Sequence, residues 1–196
     1  GSCVPSELRK TMIKDVSNEF YVRYGATECG SVALASLEHH SIEGLVGRVI
    51  DGVEVEIVGL DNKVVSVGCI GEVRIRAEGM ADSYYANSVK TAINFREGWF
   101  YPGDSGSFNE DDLLIIHGRQ DDMMIMNGLN IFPSEIESVL EQHLLVRRAA
   151  AVAIPSKVHG EIPVAVVELV DETEISTVEL KAYARAKLAL KAQNQC

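Results

Sequence analysis

Residues 118–137 read GRQDDMMIMNGLNIFPSEIE, and the pattern of the chain changes within this stretch. Before it, short segments of β type are separated by turns, and both VEVEIVGL and GEVRIRA alternate with a period of two. Within it, MMIMN predicts a strand, and Pro133 begins an amphipathic helix. Three apolar residues share one face of that helix: Ile136, Val139 and Leu140. The sequence therefore predicts a boundary between two regions at about Gln120–Asp121.

The residues before this boundary predict a mainly β region. Short strands and turns continue to about Arg119, and one short helix, from about Asn87 to Phe95, interrupts them. Another helix is predicted from Pro5 to Val16, because apolar residues recur there at helical spacing. Together these patterns indicate a small, twisted β-barrel or sandwich.

The residues after the boundary predict a compact domain of helices and strands. RAAAVAI and PVAVVELV are mostly apolar and predict buried strands. The segment from Ser176 to Leu190 predicts a helix, which begins at the capping box Ser176-x-x-Glu179. The fold class expected for the chain is α+β, with a small β-barrel-like subdomain followed by a compact α+β domain.

Composition narrows the range of partners and compartments. The net charge of −11 would repel nucleic-acid phosphates and anionic membrane surfaces, although local dipoles still allow a small anionic ligand. No apolar run reaches the roughly 18 to 20 residues that span a bilayer, so no membrane insertion is expected. The four cysteines form no CxxC pair and predict free thiols in a reducing, cytoplasmic location. They are Cys3, Cys29, Cys69 and Cys196.

Three segments combine polar, aromatic and glycine residues in patterns that suit a binding site. They are YGATECG (24–30), GWFYPGDSG (98–106) and the stretch 118–137. In this order, with the segments between them, they resemble the adenylate-forming (ANL) superfamily of acyl- and aryl-CoA synthetases, luciferases and peptide-synthetase adenylation domains. The resemblance covers nearly the whole chain and implies ATP/AMP, Mg²⁺ and CoA as ligands.

The first segment resembles the part of the family that binds the nucleotide. The ring of Tyr24 is suited to a purine face, and Gly25 allows the backbone to approach a ligand closely. Thr27 can donate to a phosphate oxygen, and Glu28 can hold Mg²⁺ through its carboxylate. The resemblance assigns these same roles at the matching positions, with Thr27 and Glu28 as catalytic residues.

The second segment supplies Asp104, which matches the family residue that binds the ribose of ATP. A carboxylate can accept hydrogen bonds from both ribose hydroxyls, and such charge-assisted bonds are strong. Pro102 stands where relatives more often have threonine, which removes a backbone donor and a hydroxyl near the sugar. Trp99 and Phe100 are expected to belong to the hydrophobic core.

The third segment implies a hinge and a binding site for the acyl acceptor. By resemblance, Arg119 reaches the ribose or a phosphate, and Asp121 is the residue about which the C-terminal domain rotates. Gly128 matches the glycine past which the pantetheine arm of CoA runs. Ile125 occupies a position where many relatives have lysine.

Two lysine segments that the family uses to hold phosphate groups have no counterpart in the sequence. Residues 1–23 contain no Ser/Thr/Gly-rich loop ending in lysine, and no glycine precedes Lys191. The expected organisation is therefore part of the large N-terminal domain in residues 1–118, a hinge in 119–121 and a truncated C-terminal domain in 122–196. The isolated chain is expected to be inactive because these cations are missing.

The function implied is ATP-dependent ligation of a small carboxylic acid, by way of acyl-AMP, to CoA. Two alternatives stay open. The first is an acyl-AMP ligase that loads a carrier protein, which an assay with both acceptors would distinguish. The second is a catalytically dead module that binds a nucleotide or a protein partner.

Overall fold

A computed structural model of the chain describes residue 4 and residues 6–36, 42–127, 129–170 and 173–192. The chain divides into two compact units, Gly1–His117 and Gly118–Cys196. Within the described ranges, no helix combines the length and the apolar character needed to cross a membrane.

The first unit consists mostly of short strands. In the part of the chain that the structure describes, its elements are α1 (Ser6–Asp15), β1 (Val22–Ala26), β2 (Gly30–Ala35), β3 (Leu45–Val49), β4 (Val53–Val58), β5 (Gly71–Ala77), α2 (Ser88–Asn94), β6 (Phe95–Arg96), β7 (Trp99–Phe100), β8 (Asp104–Phe108) and β9 (Leu114–Arg119), of which the last two residues belong to the second unit.

These strands form one open sheet. Their order is β1-β2-β3-β9-β8-β5-β7-β6, and β4 pairs with β5 outside this path. Because β1 and β6 end the order without pairing to each other, the described strands do not close into a barrel. The α+β class is confirmed, and the barrel-like subdomain expected from the sequence is an open sheet.

The core of this unit and its short helix follow the sequence pattern. Trp99 and Phe100 are buried, as expected of core residues. The helix α2 begins after Asn87, whose side-chain oxygen accepts a hydrogen bond from the Lys90 backbone N–H at 3.0 Å. This bond satisfies one donor of the first helical turn, which explains why the helix begins there.

The second unit is a small antiparallel sheet with two helices. Its described elements are β10 (Met124–Met126), β11 (Leu129–Ile131), α3 (Pro133–Glu141), β12 (Val146–Ser156), β13 (Gly160–Leu169) and α4 (Thr177–Ala192). The strand order is β11-β10-β13-β12.

Both helices of this unit begin where the sequence predicted. Pro133 is the first residue of α3, and the apolar face of that helix is buried. At α4, the hydroxyl of Ser176 accepts a hydrogen bond from the Glu179 backbone N–H at 3.1 Å, which is one half of the predicted capping box.

The strands β12 and β13 are less buried than their composition suggested. Residues on one face, such as Ala151, pack with α3 and α4 in a shared core. On the other face, Val152 pairs with Val164 and Ile154 pairs with Ile162, and all four side chains are exposed. The expectation of two buried strands is therefore wrong for one of the two faces.

One partly buried histidine in the first unit makes stability depend on pH. The His117 ring lies 2.9 Å from the hydroxyl of Ser107, measured at Nε2, and burial lowers the pKa of His117 to about 4. The unfolded chain takes up this proton near pH 6.5, so the free energy of unfolding should fall as pH drops from about 6.5 to about 4. A gap of about 2.5 pH units corresponds to at most about 3 kcal/mol.

Urea unfolding at pH 7.5 and pH 4.5 measures this loss. His117→Gln should lose less stability between the two pH values than the unsubstituted chain does. His159→Gln, which replaces an exposed imidazole, is the matched control and should keep the full loss. Equal losses in the His117→Gln variant and the unsubstituted chain would contradict the prediction.

Candidate functional site

The segment YGATECG forms the end of a β-hairpin. β1 carries Tyr24 and Gly25, and the backbone N–H of Cys29 donates to the Ala26 carbonyl at 3.3 Å to close the turn. Thr27 and Glu28 lie on this turn, and the Thr27 side chain is exposed. The strand therefore presents the ring of Tyr24 while the turn presents the hydroxyl and the carboxylate.

Gly25 is required by the hairpin itself. The register of β1 and β2 shifts between Tyr24 and Gly25. A Cβ atom at Gly25 would lie 2.1 Å from the carbonyl oxygen of Gly30 on the paired strand, which no side chain can tolerate. This close approach explains the glycine, while its predicted contact with a nucleotide stays a prediction.

Tyr24 and Asp104 meet although 80 residues separate them. The Tyr24 hydroxyl donates to Oδ2 of Asp104 at 2.6 Å. The chain enters β8 at Asp104 through Gly103, whose φ of 80° favours glycine. A short bond from a hydroxyl to a carboxylate is strong, so Tyr24 fixes the orientation of this carboxylate.

Glu28 is held by a residue that the sequence analysis did not select. The Tyr84 hydroxyl donates to Oε1 of Glu28 at 2.7 Å, and the Ala81 backbone N–H donates to the Glu28 carbonyl at 2.8 Å. The only signal for Tyr84 was its place in SYYANSV (83–89), between the first two of the three family-like segments. Nothing in the sequence distinguished it from the adjacent Tyr85.

Both carboxylates lie close enough to the buried thiol of Cys29 for their charges to act on it. Burial raises the pKa of Cys29, and the charges of Glu28 and Asp104 raise it further. The thiol is therefore neutral at pH 7, where an unperturbed cysteine is already mostly protonated. Tyr24 and Glu28 lie on the same hairpin and Tyr24 bonds to Asp104, so Glu28 and Asp104 belong to one candidate site in the first unit.

The side chains of this site fit a nucleotide and a magnesium ion. An aromatic ring beside an oriented carboxylate suits a purine nucleoside, since the carboxylate accepts from ribose hydroxyls. No cluster of three or more metal-binding side chains occurs among the residues described. Glu28 would therefore be a single protein ligand, which suits Mg²⁺ because that ion is usually held by one or two carboxylates together with substrate phosphates.

The second unit carries the other predicted residues. The Arg119 guanidinium lies 3.7 Å from the Asp121 carboxylate, measured from Nη2 to Oδ2, and both side chains are exposed. They line a surface cavity of about 530 Å³ together with Ser134 and Glu137 of α3. Gly128 lies outside the described residues. The roles of Arg119 and Asp121 stay predictions.

Two family profiles match the sequence. The family described as AMP-binding enzyme matches residues 1–85, and the AMP-binding enzyme C-terminal domain matches residues 135–194. The long-chain-fatty-acid–CoA ligase of Salmonella typhimurium is 34% identical over 164 residues, which are 82% of this chain and 29% of the ligase. The first curated relatives are matched over 29% to 36% of their length, so the chain spans about a third of each.

Solved structures share the fold over almost the whole chain. The amide bond synthetase McbA from Marinactinospora thermotolerans has a TM-score of 0.88 and 28% identity, covering 96% of this chain and 39% of McbA. The o-succinylbenzoate CoA synthetase of Bacillus subtilis, solved with an acyl-adenylate intermediate, has a TM-score of 0.85 and 27% identity. It covers 95% of this chain and 38% of that synthetase. The chain belongs to the AMP-binding enzymes of the adenylate-forming superfamily, whose members among its relatives are acyl-CoA synthetases and ligases.

Proposed function

We propose that this chain is part of an AMP-forming ligase that joins a small carboxylic acid to CoA. The observation that carries the proposal is the bond from Tyr24 to Asp104, which aligns an aromatic ring and a carboxylate beside the Glu28 turn. Membership of a family whose named relatives are acyl-CoA ligases supports it. The chain spans about a third of those relatives, so the activity belongs to the complete protein.

The first half-reaction forms an acyl-adenylate. A carboxylate oxygen of the acid attacks the α-phosphorus of ATP, the bond from that phosphorus to pyrophosphate breaks, and pyrophosphate leaves. Asp104 accepts hydrogen bonds from the ribose, Tyr24 orients Asp104, and Thr27 donates to a phosphate oxygen. Glu28 would hold the Mg²⁺ ion, which would supply positive charge to neutralise the phosphates.

The second half-reaction transfers the acyl group. The thiol of the acceptor attacks the acyl carbonyl, loses its proton, and AMP leaves with the bridging oxygen. We propose that residues 1–118 belong to the large domain, that residues 119–121 form the hinge, and that residues 122–196 form the rotating domain. Arg119 then contacts the nucleotide, and Gly128 lines the path of the pantetheine arm.

The names of the relatives do not agree on which molecule accepts the acyl group. Some are named CoA ligases or CoA synthetases, whereas McbA is named an amide bond synthetase. We propose CoA because the acyl-CoA ligase names are the more frequent ones among the similar sequences. A carrier protein is the alternative thiol acceptor and presents the same phosphopantetheine group.

A cytoplasmic location accompanies this proposal. Cys29 and Cys69, the cysteines that the structure describes, are free thiols. Free thiols persist in reducing compartments, which also supply ATP and CoA.

Exchange of labelled pyrophosphate into ATP tests the first half-reaction. The complete protein should catalyse exchange only when a suitable acid from a panel of fatty and aryl acids is present. Adding CoA or a phosphopantetheinylated carrier protein should then identify the acceptor by its thioester. Binding of ATP without exchange for any acid would favour the non-catalytic nucleotide-binding module and contradict the proposal.

A further inference from the structure

Tyr84 lies in the site but has no role in the function proposed so far. Its hydroxyl donates to Oε1 of Glu28 at 2.7 Å, across 56 residues of sequence. A hydroxyl that donates to a carboxylate at this distance forms a strong, charge-assisted bond. Oε1 of Glu28 is therefore bonded to Tyr84, and this bond sets the orientation of the other carboxylate oxygen, Oε2.

Several contacts fix the position of Tyr84. Its backbone N–H donates to the Thr91 hydroxyl on α2 at 2.9 Å. Its ring packs edge to face against Phe95, with ring centroids 5.3 Å apart and planes at 66°. Phe95 packs in turn on the buried Phe100, with ring centroids 5.1 Å apart. These contacts anchor the hydroxyl to the core of the first unit.

The backbone of Glu28, which carries the carboxylate, is also held in place. The Ala81 N–H donates to the Glu28 carbonyl at 2.8 Å, so the segment that carries Tyr84 is bonded to the turn that carries Glu28. The hydroxyl and the carboxylate therefore approach each other from two segments that are already tied together. Little rotational freedom remains to be lost when Glu28 binds a ligand.

We propose that Tyr84 is a positioning residue that holds Glu28 as a one-oxygen ligand for the divalent cation. The inference rests on the proposed function, which assigns the cation to Glu28. With Oε1 accepting a hydrogen bond from the phenol, Glu28 would offer Oε2 as its metal-binding oxygen. Mg²⁺ demands near-ideal octahedral geometry, whereas Ca²⁺ accepts carboxylates that bind through one or both oxygens. Tyr84 thereby favours Mg²⁺ over Ca²⁺.

The chain provides a matched control in the next residue. Tyr85 has the same side chain but is fully exposed. Tyr84→Phe removes the hydroxyl that contacts Glu28 and keeps the ring that packs on Phe95. Tyr85→Phe makes the same chemical change at the surface and should keep the thermal midpoint of the unsubstituted protein, whereas Tyr84→Phe should lower the midpoint slightly and still fold.

Binding of Mn²⁺, followed by electron paramagnetic resonance, gives a direct measurement without turnover. In the complete protein with α,β-methylene-ATP, Tyr84→Phe should weaken Mn²⁺ binding roughly tenfold, since one bond to a charged group is lost. In pyrophosphate exchange, it should raise the KM for Mg²⁺ with little change in kcat at saturating metal. It should also narrow the preference for Mg²⁺ over Ca²⁺, whereas Tyr85→Phe should leave all three measurements unchanged.

A double variant separates this role from damage to the fold. If Tyr84 acts through Glu28, Tyr84→Phe should have no further effect on Mn²⁺ binding once Glu28→Gln is present. A tenfold loss that persists in the Glu28→Gln background would overturn the inference. So would equal Mn²⁺ affinities in Tyr84→Phe and Tyr85→Phe, which would leave the proposed function intact. Absence of Mn²⁺ binding by the unsubstituted protein with nucleotide would overturn the proposed function as well.

Discussion

Replacing Asp104 with alanine is expected to raise the KM for ATP by roughly a hundredfold or more in the complete protein. Two ribose hydrogen bonds to a charged acceptor disappear, each worth about 1.5 to 3 kcal/mol, and every 1.4 kcal/mol corresponds to a factor of about ten. The Tyr24 hydroxyl also loses the acceptor that orients it. The KM for the carboxylic acid should change much less, because the ribose lies away from the acyl group.

Steady-state pyrophosphate release, with ATP and acid varied separately, measures both effects. Asp111→Ala is the matched control, since it removes an exposed carboxylate from the turn that follows the same strand. That variant should have the KM values of the unsubstituted enzyme. Equal increases in KM for ATP and acid in Asp104→Ala would show that Asp104 does not bind the ribose.

Replacing Asp121 with proline is expected to slow thioester formation by orders of magnitude while adenylation survives largely intact. Proline fixes φ, so rotation about φ at this position becomes impossible. Proline suits the turn position that Asp121 occupies in the structure. The Met123 N–H donates to the Gln120 carbonyl at 3.1 Å, which makes Asp121 the second residue of a β-turn, a position that favours proline.

The two half-reactions can be measured separately. Pyrophosphate release reports adenylation, and thioester formation from synthetic acyl-AMP reports transfer. Asp121→Ala is the control: it removes the exposed ion pair with Arg119, which contributes little, and leaves φ free. Equal losses in both half-reactions for Asp121→Pro would mean that Asp121 is not the hinge.

Local signals in the sequence predicted the helices well. Pro133 begins α3 and Ser176 caps α4 because each satisfies a rule that acts within one helical turn. Asn87 caps α2 in the same way, although the sequence only suggested that the helix begins near it. Such rules depend only on residues that are close together in the sequence.

The arrangement of strands was less predictable. An apolar run such as PVAVVELV does not reveal whether one or both faces of a strand are covered, and Val166 is 69% exposed. Closure of a barrel depends on pairing between strands far apart in sequence, which period-two patterns do not encode. The open order from β1 to β6 became visible only in the folded chain.

The candidate site shows the same difference between what the sequence predicts and what only the fold determines. Resemblance to the family selected Tyr24, Glu28 and Asp104, but it did not indicate which of them touch. The bond from Tyr24 to Asp104 and the bond from Tyr84 to Glu28 join residues 80 and 56 positions apart. Only the fold determines such contacts, and Tyr84 was therefore missed.

Transfer of an oxygen isotope tests the formation of an acyl-adenylate most directly. The complete protein would be incubated with ATP, CoA and acids labelled with ¹⁸O in both carboxylate oxygens, and the released nucleotide analysed by mass spectrometry. Because a carboxylate oxygen becomes the bridge to the α-phosphorus, we predict AMP that carries one ¹⁸O atom per thioester formed. Unlabelled AMP, or ADP with the label in inorganic phosphate, would contradict an acyl-adenylate intermediate.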